Sequence, residues 1–244
     1  VVDHPGELGA LHRIMVPPPG GHPTLRAPSR RFGHRGRVQT TVVDHPLARR
    51  ALTTLRDQDT DRAAFRVAMD DLAGILVYEA TRSLRVVEID VTTPLAVTGG
   101  IRVAEPPMAV PILRAGLGLL PGVLRYLPDC PTGFIGVARN EETLQPEPYM
   151  NSVPDNLDGR DVLVLDPMLA TGGSLTYACG LLRDRNPGRL IAVCVLAAPE
   201  GVAALDRSGL ADELVVGSID DHLNEASYIV PGLGDAGDRL YGTA

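Results

Sequence analysis

The stretch that most constrains this chain is Val162-Leu163-Val164-Leu165-Asp166-Pro167-Met168-Leu169-Ala170-Thr171-Gly172-Gly173-Ser174. Four apolar residues in a row, closed by turn signals, predict a short strand covered on both faces, as in parallel sheets. Beyond the loop, Leu175, Ala178, Cys179 and Leu182 follow the i, i+3, i+4, i+7 spacing of one apolar helix face. Thr171 to Ser174 therefore fall where a helix begins. There the unpaired N–H groups and the partial positive charge of the helix suit a phosphate. Gly172 and Gly173 let the backbone approach an anion, and Thr171 and Ser174 add hydroxyl donors. Asp166, at the carboxyl end of the strand, is placed to take a sugar hydroxyl or to help hold a hydrated Mg²⁺. The chain contains no Lys, so this is not a P-loop. On the glycine pair alone an ordinary strand-to-helix turn is the simpler reading. The acid, the Thr and the Ser favour the anion cradle.

The same grammar recurs. Ala109–Leu113 predicts a second buried strand, ending at Arg114-Ala115-Gly116-Leu117-Gly118 before an amphipathic segment. Phe134–Ala138 predicts a third, ending at Arg139-Asn140-Glu141-Glu142-Thr143. Residues 190–198 and 213–220 predict two more, with a short helix over Val202–Leu210 between them. Strands alternating with helices predict an α/β fold, a mostly parallel sheet flanked by helices. Arg114 and Arg139 put cations at strand ends; a solvated loop arginine, or pairing of Arg139 with Glu141 or Glu142, would place them equally well. Pro146, Pro148, Tyr149 and Pro154 exclude a regular helix and predict a long mobile loop, a candidate lid. Upstream, a helix is predicted over 60–83, with Ala64, Val67, Ala68, Leu72, Ile75 and Leu76 as its apolar stripe. Residues 84–104 predict a small β flap or hood that turns at Gly99-Gly100. His45, preceding Pro46, reads as a structural residue in a turn or at a helix start.

Composition narrows the function. The net charge is −7, Trp is absent and aromatics make up only 4%, which argues against a nucleic-acid surface or base-stacking platform. An anionic substrate must then be met by local arginines. Residues 1–37 carry six Arg and two acids, net +4, and are dense in Pro, Gly and His with no apolar period. They predict a disordered extension, or a stretch upstream of a true start near Val38, before one domain over 38–244. No apolar run approaches the roughly 18 residues of a membrane span. Cys179 and Cys194 sit in apolar patterns as core thiols, which with no secretory signal predicts a cytoplasmic protein.

The C-terminal stretch Tyr228-Ile-Val-Pro-Gly-Leu-Gly-Asp-Ala-Gly-Asp-Arg239 is too apolar for an unpacked tail. Its close glycines predict tight turns whose N–H and C=O groups can read the edge of a flat heterocycle, with Asp235 available to an imide N–H or to the sugar.

These segments together resemble the type I phosphoribosyltransferases, in the form of the uracil phosphoribosyltransferases. Asp166–Ser174 resembles their motif for 5-phosphoribosyl 1-diphosphate (PRPP). Val110–Gly118, Arg139–Thr143 and Tyr228–Arg239 resemble the same family, as do Asp44–Leu47, Tyr78–Thr81 and Ala198–Gly201. The resemblance spans about residues 40–243, and its C-terminal stretch is the part specific for uracil. It implies pyrimidine salvage: uracil and PRPP giving UMP and diphosphate. It implies PRPP binding by Asp166, Pro167, Met168, Leu169, Ala170, Thr171, Gly172, Gly173 and Ser174, with Arg114 and Arg139 on the diphosphate. Uracil would lie on Ile229, Gly234, Asp235 and Ala236, with Asp235 also near PRPP; Arg114, Arg139 and Asp235 would be the catalytic residues. Pro167 stands where broader type I enzymes carry a second acid, so one Mg²⁺ would be held mainly by the diphosphate and water, without a dedicated protein metal site. A homodimer or higher oligomer and activation by GTP are further implications. The alternatives are a phosphoribosyltransferase for another base, and a pyrimidine-responsive RNA-binding regulator on the same fold.

Overall fold

The computed structural model describes residues 37–139 and 146–242, without the side chains of residues 138, 139, 146 and 147. Strand β1 (Gln39–Val42) leads into helices α1 (Pro46–Arg56) and α2 (Arg62–Ala80). A hairpin of β2 (Val86–Thr92) and β3 (Val97–Val103) precedes β4 (Met108–Leu113), a 3-10 turn at Ala115–Gly118 and α3 (Leu120–Tyr126). Then come β5 (Ile135–Arg139), β6 (Pro146–Asn151), β7 (Val162–Leu165), β8 (Met168–Leu169) and α4 (Gly173–Arg183). The chain continues through β9 (Leu190–Ala197), α5 (Pro199–Ser208) and β10 (Glu213–Ile219), and ends on β11 (His222–Leu223), β12 (Ile229–Val230) and α6 (Ala236–Tyr241).

The main sheet runs β1-β10-β9-β7-β4-β5-β6, with β8 added to β9. Its pairings are parallel except that of β5 with β6. The mostly parallel, helix-flanked α/β architecture is thus borne out. Alternate strand residues feed two cores. Leu163 and Leu165 pack with side chains of α1, α2 and α3; Val162 and Val164 pack with those of α4 and α5. The strand order places the site. From β4 the chain steps outward to β5, then returns to β7 on the other side of β4. The crevice outside the carboxyl ends of the strands at such a reversal is where open α/β sheets bind ligands. Arg114 follows β4 and Asp166 follows β7, so both stand at that crevice.

Local expectations are corrected in four places. The stripe of α2 is half as predicted: Ala68, Leu72 and Leu76 are buried, but Phe65, Met69, Ala73 and Val77 complete the buried face, Ala64 is exposed and Val67 is 62% exposed. The 3.6-residue period was legible, but the stripe is centred one position away from Val67, on the line of Phe65, Met69, Leu72 and Leu76. The β2–β3 hairpin exists but does not turn at Gly99-Gly100, which pair with Asp90 and Ile89 inside the ladder. It turns at Thr93–Ala96, where the Thr93 hydroxyl accepts from the N–H groups of Leu95 (3.2 Å) and Ala96 (3.0 Å). The proline-rich segment after β5 is not all loop: Pro146–Asn151 forms edge strand β6. Prolines that exclude a helix are tolerated on a sheet edge. Of the candidate lid, Pro146, Pro148 and Tyr149 thus belong to a strand, while residues 140–145 lie outside the described residues, as does the N-terminal extension but for residue 37. Finally, the C-terminal stretch contains an unpredicted helix, α6. His45 caps α1 as a structural residue, its Nδ1 accepting from Leu47 N–H at 3.2 Å.

Candidate active site

One side of the site is built on β7. Pairing with β9 continues past the strand, as Asp166 N–H donates to Val193 C=O at 3.2 Å. The Pro167 carbonyl accepts from the N–H groups of Val195 (2.9 Å) and Leu196 (3.0 Å), and Met168–Leu169 then rejoin β9 as β8. The loop's first half is therefore stitched to the sheet by backbone. Gly172 turns the chain into α4 with φ +84°, a conformation that disfavours any side chain. Thr171, Gly173 and Ser174 are left exposed at the start of the helix. From behind, α5 braces the loop: a Cβ on Gly201 would lie 2.4 Å from the Ala170 carbonyl oxygen and 2.5 Å from that of Leu169. That contact explains why Ala198–Gly201 accompanies the loop motif.

Asp166 is half-buried at the end of β7. Burial pushes its pKa from 3.8 up to about 7, opposed by a long contact, 3.5 Å, from Met168 N–H. Its carboxyl has one long hydrogen bond among the described residues and stands at the foot of the loop over 167–172.

The facing side comes from residues 226–236. Strand β12 pairs with β11, so Ile229 is buried beside the site. Asp235 caps α6, its Oδ1 accepting from Asp238 N–H at 2.8 Å. Arg239 donates to the carbonyls of Leu233 (2.9 Å) and Asp57 (2.6 Å), and its guanidinium lies 4.3 Å from the centre of the Phe65 ring.

A cleft of about 500 Å³ separates the two sides. Met168, Ala170, Thr171, Gly173 and Ser174 form one wall; Ile229, Gly234, Asp235 and Ala236 form the other. Of the residues expected to bind PRPP, Asp166, Pro167, Leu169 and Gly172 do not line this cleft; the last three are buried beneath its wall. Arg114 stands outside it, its guanidinium 3.5 Å from the Asp238 carboxylate on α6. Arg139 ends β5, two residues beyond Val137, which does line the cleft; its side chain lies outside the described residues. Sequence reasoning missed Val137 and the Ala226–Tyr228 rim. Tyr228 opened the stretch singled out for the base, but no spacing marked Val137.

A family model described as uracil phosphoribosyltransferase matches residues 42–243. The chain belongs to the uracil phosphoribosyltransferase family. A protein of that name from Corynebacterium diphtheriae is 53% identical over 205 residues, covering 84% of this chain and 97% of its own. Another of that name, from Streptomyces avermitilis, is 54% identical over 206 residues, covering 83% of this chain and 98% of its own. The solved structure of the AQ2163 protein from Aquifex aeolicus matches with a TM-score of 0.79 at 39% identity, covering 84% of this chain and 99% of that one. The resemblance read from the motifs is borne out, and both walls of the cleft fall inside the region that defines the family.

Proposed function

We propose that this protein transfers a phosphoribosyl group from PRPP to uracil, giving UMP and diphosphate. One observation carries the reading: in a chain of this family, the loop over 168–174 and the glycine-rich segment over 229–236 line one cleft from opposite sides, which suits them to be its donor wall and its acceptor wall. The N–H groups and hydroxyls of Thr171–Ser174 hold the 5′-phosphate. Asp166 takes the ribose hydroxyls. Arg114 and Arg139 meet the diphosphate, with Arg114 released from Asp238 to do so. Backbone groups of Ile229 and Gly234–Ala236 read the uracil edge, and Asp235 uses the carboxylate oxygen left over from capping α6.

In the transfer, the C1–O bond to diphosphate breaks with oxocarbenium character as uracil N1 forms the new bond to C1. The electron pair leaves with diphosphate, where the arginines stabilise it. The N1 proton passes to solvent. Uracil N1 is acidic for an amide, so positioning is the main contribution of the acceptor wall. No histidine is assigned a role.

Mg²⁺ fits this site in a limited way. Among the described residues there is no cluster of three His, Cys, Asp or Glu side chains that could hold a metal. Asp166 alone offers a carboxyl with unused acceptors at the cradle. Mg²⁺ commonly takes one or two carboxylates and completes its shell with substrate phosphate and water. Bound so, it would neutralise charge on the departing diphosphate. The same reading carries a homo-oligomeric, cytoplasmic enzyme responsive to GTP. No helix among the described residues is long and apolar enough to cross a membrane.

The test is UMP and diphosphate formation by purified protein with PRPP, Mg²⁺ and, in turn, uracil, orotate and hypoxanthine. Turnover with uracil alone is expected. Preference for another base would reassign the substrate, and RNA binding without UMP formation would overturn the enzyme reading.

A further inference from the structure

Among the described residues, the buried core holds one charged side chain, Asp220, which is 6% exposed. It lies immediately after β10, outside the cleft. A carboxylate buried there must have its acceptor sites filled. Four donors fill them. Arg56 approaches with both terminal nitrogens, Nη2 to Oδ1 at 2.6 Å and Nη1 to Oδ2 at 2.7 Å. The Ser218 hydroxyl donates to Oδ1 at 3.1 Å, and the backbone N–H of Gly232 donates to Oδ2 at 2.9 Å. Arg56 Nη1 also donates to the Gly232 carbonyl at 2.9 Å. Both backbone groups of Gly232 are thus held by one ion pair, whose members come from the end of α1 and the end of β10.

Gly232 is the hinge of the acceptor segment. Its φ is +64°, and a Cβ there would sit 2.1 Å from the Ile229 carbonyl oxygen. The chain folds back at this residue between Ile229 and Gly234-Asp235-Ala236, the two parts of the acceptor wall. Where Gly232 sits decides whether those backbone groups point at the same base edge. Burial alone would raise the Asp220 carboxyl pKa; the Arg56 fork, with Gly232 N–H and Ser218, outweighs it and holds the pKa below the usual carboxylate value. The pair is therefore fully ionised and fixed at neutral pH. A buried ion pair is weak evidence for stability, but it fixes geometry, because any other arrangement leaves a charge unpaired.

We infer that Arg56 and Asp220 are positioning residues for the acceptor base, gripping Gly232 so that residues 229–236 present one pre-formed edge to uracil. This rests on the proposed reaction and deepens it: neither side chain lines the cleft, yet together they set base affinity while leaving PRPP affinity alone.

Steady-state kinetics on the full chain test it, with KM for uracil and for PRPP measured separately on Asp220→Asn, Arg56→Gln, Arg56→Lys and the double variant Arg56→Gln/Asp220→Asn. Losing charge-assisted bonds from a buried group should raise KM for uracil about tenfold or more in Asp220→Asn and Arg56→Gln, with KM for PRPP within about twofold. Arg56→Lys, which keeps the charge and loses the fork, should fall between them and the unaltered protein. The double variant should be no worse than the poorer single one, since it leaves no unpaired charge. Parallel rises in both KM values, or a lower melting temperature with uracil KM unchanged, would overturn the inference. Should Arg56→Gln aggregate, Arg56→Lys and Ser218→Ala decide by the same split. An unaltered protein that makes no UMP overturns the reaction itself; an active one whose variants show no split overturns only the positioning role.

Discussion

The two walls of the cleft are held by opposite means. Residues 166–169 are stitched to β9 by backbone bonds from neighbouring strands, and the start of α4 continues from them. Residues 229–236 have a two-residue ladder with β11 and a backbone bond from Asp221 N–H to Val230, and side chains hold the rest: Arg56 and Asp220 from distant elements, and Arg239 from the adjoining α6. A wall built from sheet backbone is rigid wherever its strand is. A wall built from side-chain clamps is as rigid as the clamps, and each clamp can be removed separately. The donor wall should therefore fail through backbone displacement, and the acceptor wall through loss of single side chains.

Asp235 is the one residue assigned to both substrates in the proposed reaction, so its removal should have the largest effect. Asp235→Ala takes away the α6 cap and the carboxylate facing the cleft. The expected loss is about 1,000-fold in kcat/KM for both substrates, read from UMP formation. Arg114→Ala should lose less and only against PRPP, because its guanidinium lies outside the cleft. Full activity in both variants would remove them from the site.

Gly201→Ala tests the donor wall without touching a ligand. Its new methyl would lie 2.4 Å from the Ala170 carbonyl oxygen, which is backbone and must move. A displacement of about 1 Å in a positioned loop should lower kcat/KM for PRPP about 100-fold. KM for uracil should hold, the reverse of the split expected at Asp220. If uracil KM rises as well, the walls are not independent.

A smaller effect separates the walls by pH. The Asp166 pKa is raised by burial from 3.8 to about 7, whereas that of Asp220 is lowered. A carboxyl with a raised pKa favours the fold when protonated. Its contribution is full below about pH 4 and is lost as pH rises through about 7. Donor binding runs the other way, because the ionised carboxylate is the better acceptor for ribose hydroxyls. KM for PRPP should rise up to about tenfold per unit as pH falls below about 7. Asp166→Asn should flatten that slope and abolish the matching change in melting temperature. An unchanged slope would assign the titration to another group.

The same contrast explains what the sequence disclosed. The strand, loop and helix of the donor wall are contiguous, so their apolar run, turn residues and helical spacing could be read directly. The C-terminal glycines marked the acceptor segment. Its clamps could not be found, because Arg56 and Asp220 are 164 residues apart. Nothing in its neighbourhood marked Arg56, and Asp220 looked like the last residue of a strand. The edges of a stripe were also illegible where apolar residues lie all round one helix, as in α2, where the predicted stripe holds Leu72 and Leu76 but not Phe65 and Met69. The edge strand β6 was hidden because proline argues against helix and strand alike until the edge is known.

The smallest predicted effect tests whether α1 transmits anything along its length. His45 caps its first turn and Arg56 ends its last. His45→Ala removes one exposed backbone cap at 3.2 Å, which should cost about 0.5 kcal/mol in denaturant unfolding. Both KM values should stay at those of the unaltered protein. Fraying at the amino end of α1 does not reach Arg56, because Ala48, Ala51, Leu52 and Leu55 are buried between the two ends. A rise in uracil KM alone would mean that the clamp on Gly232 depends on the whole helix and not only on its last turn. The acceptor wall would then extend back to the first helix of the domain.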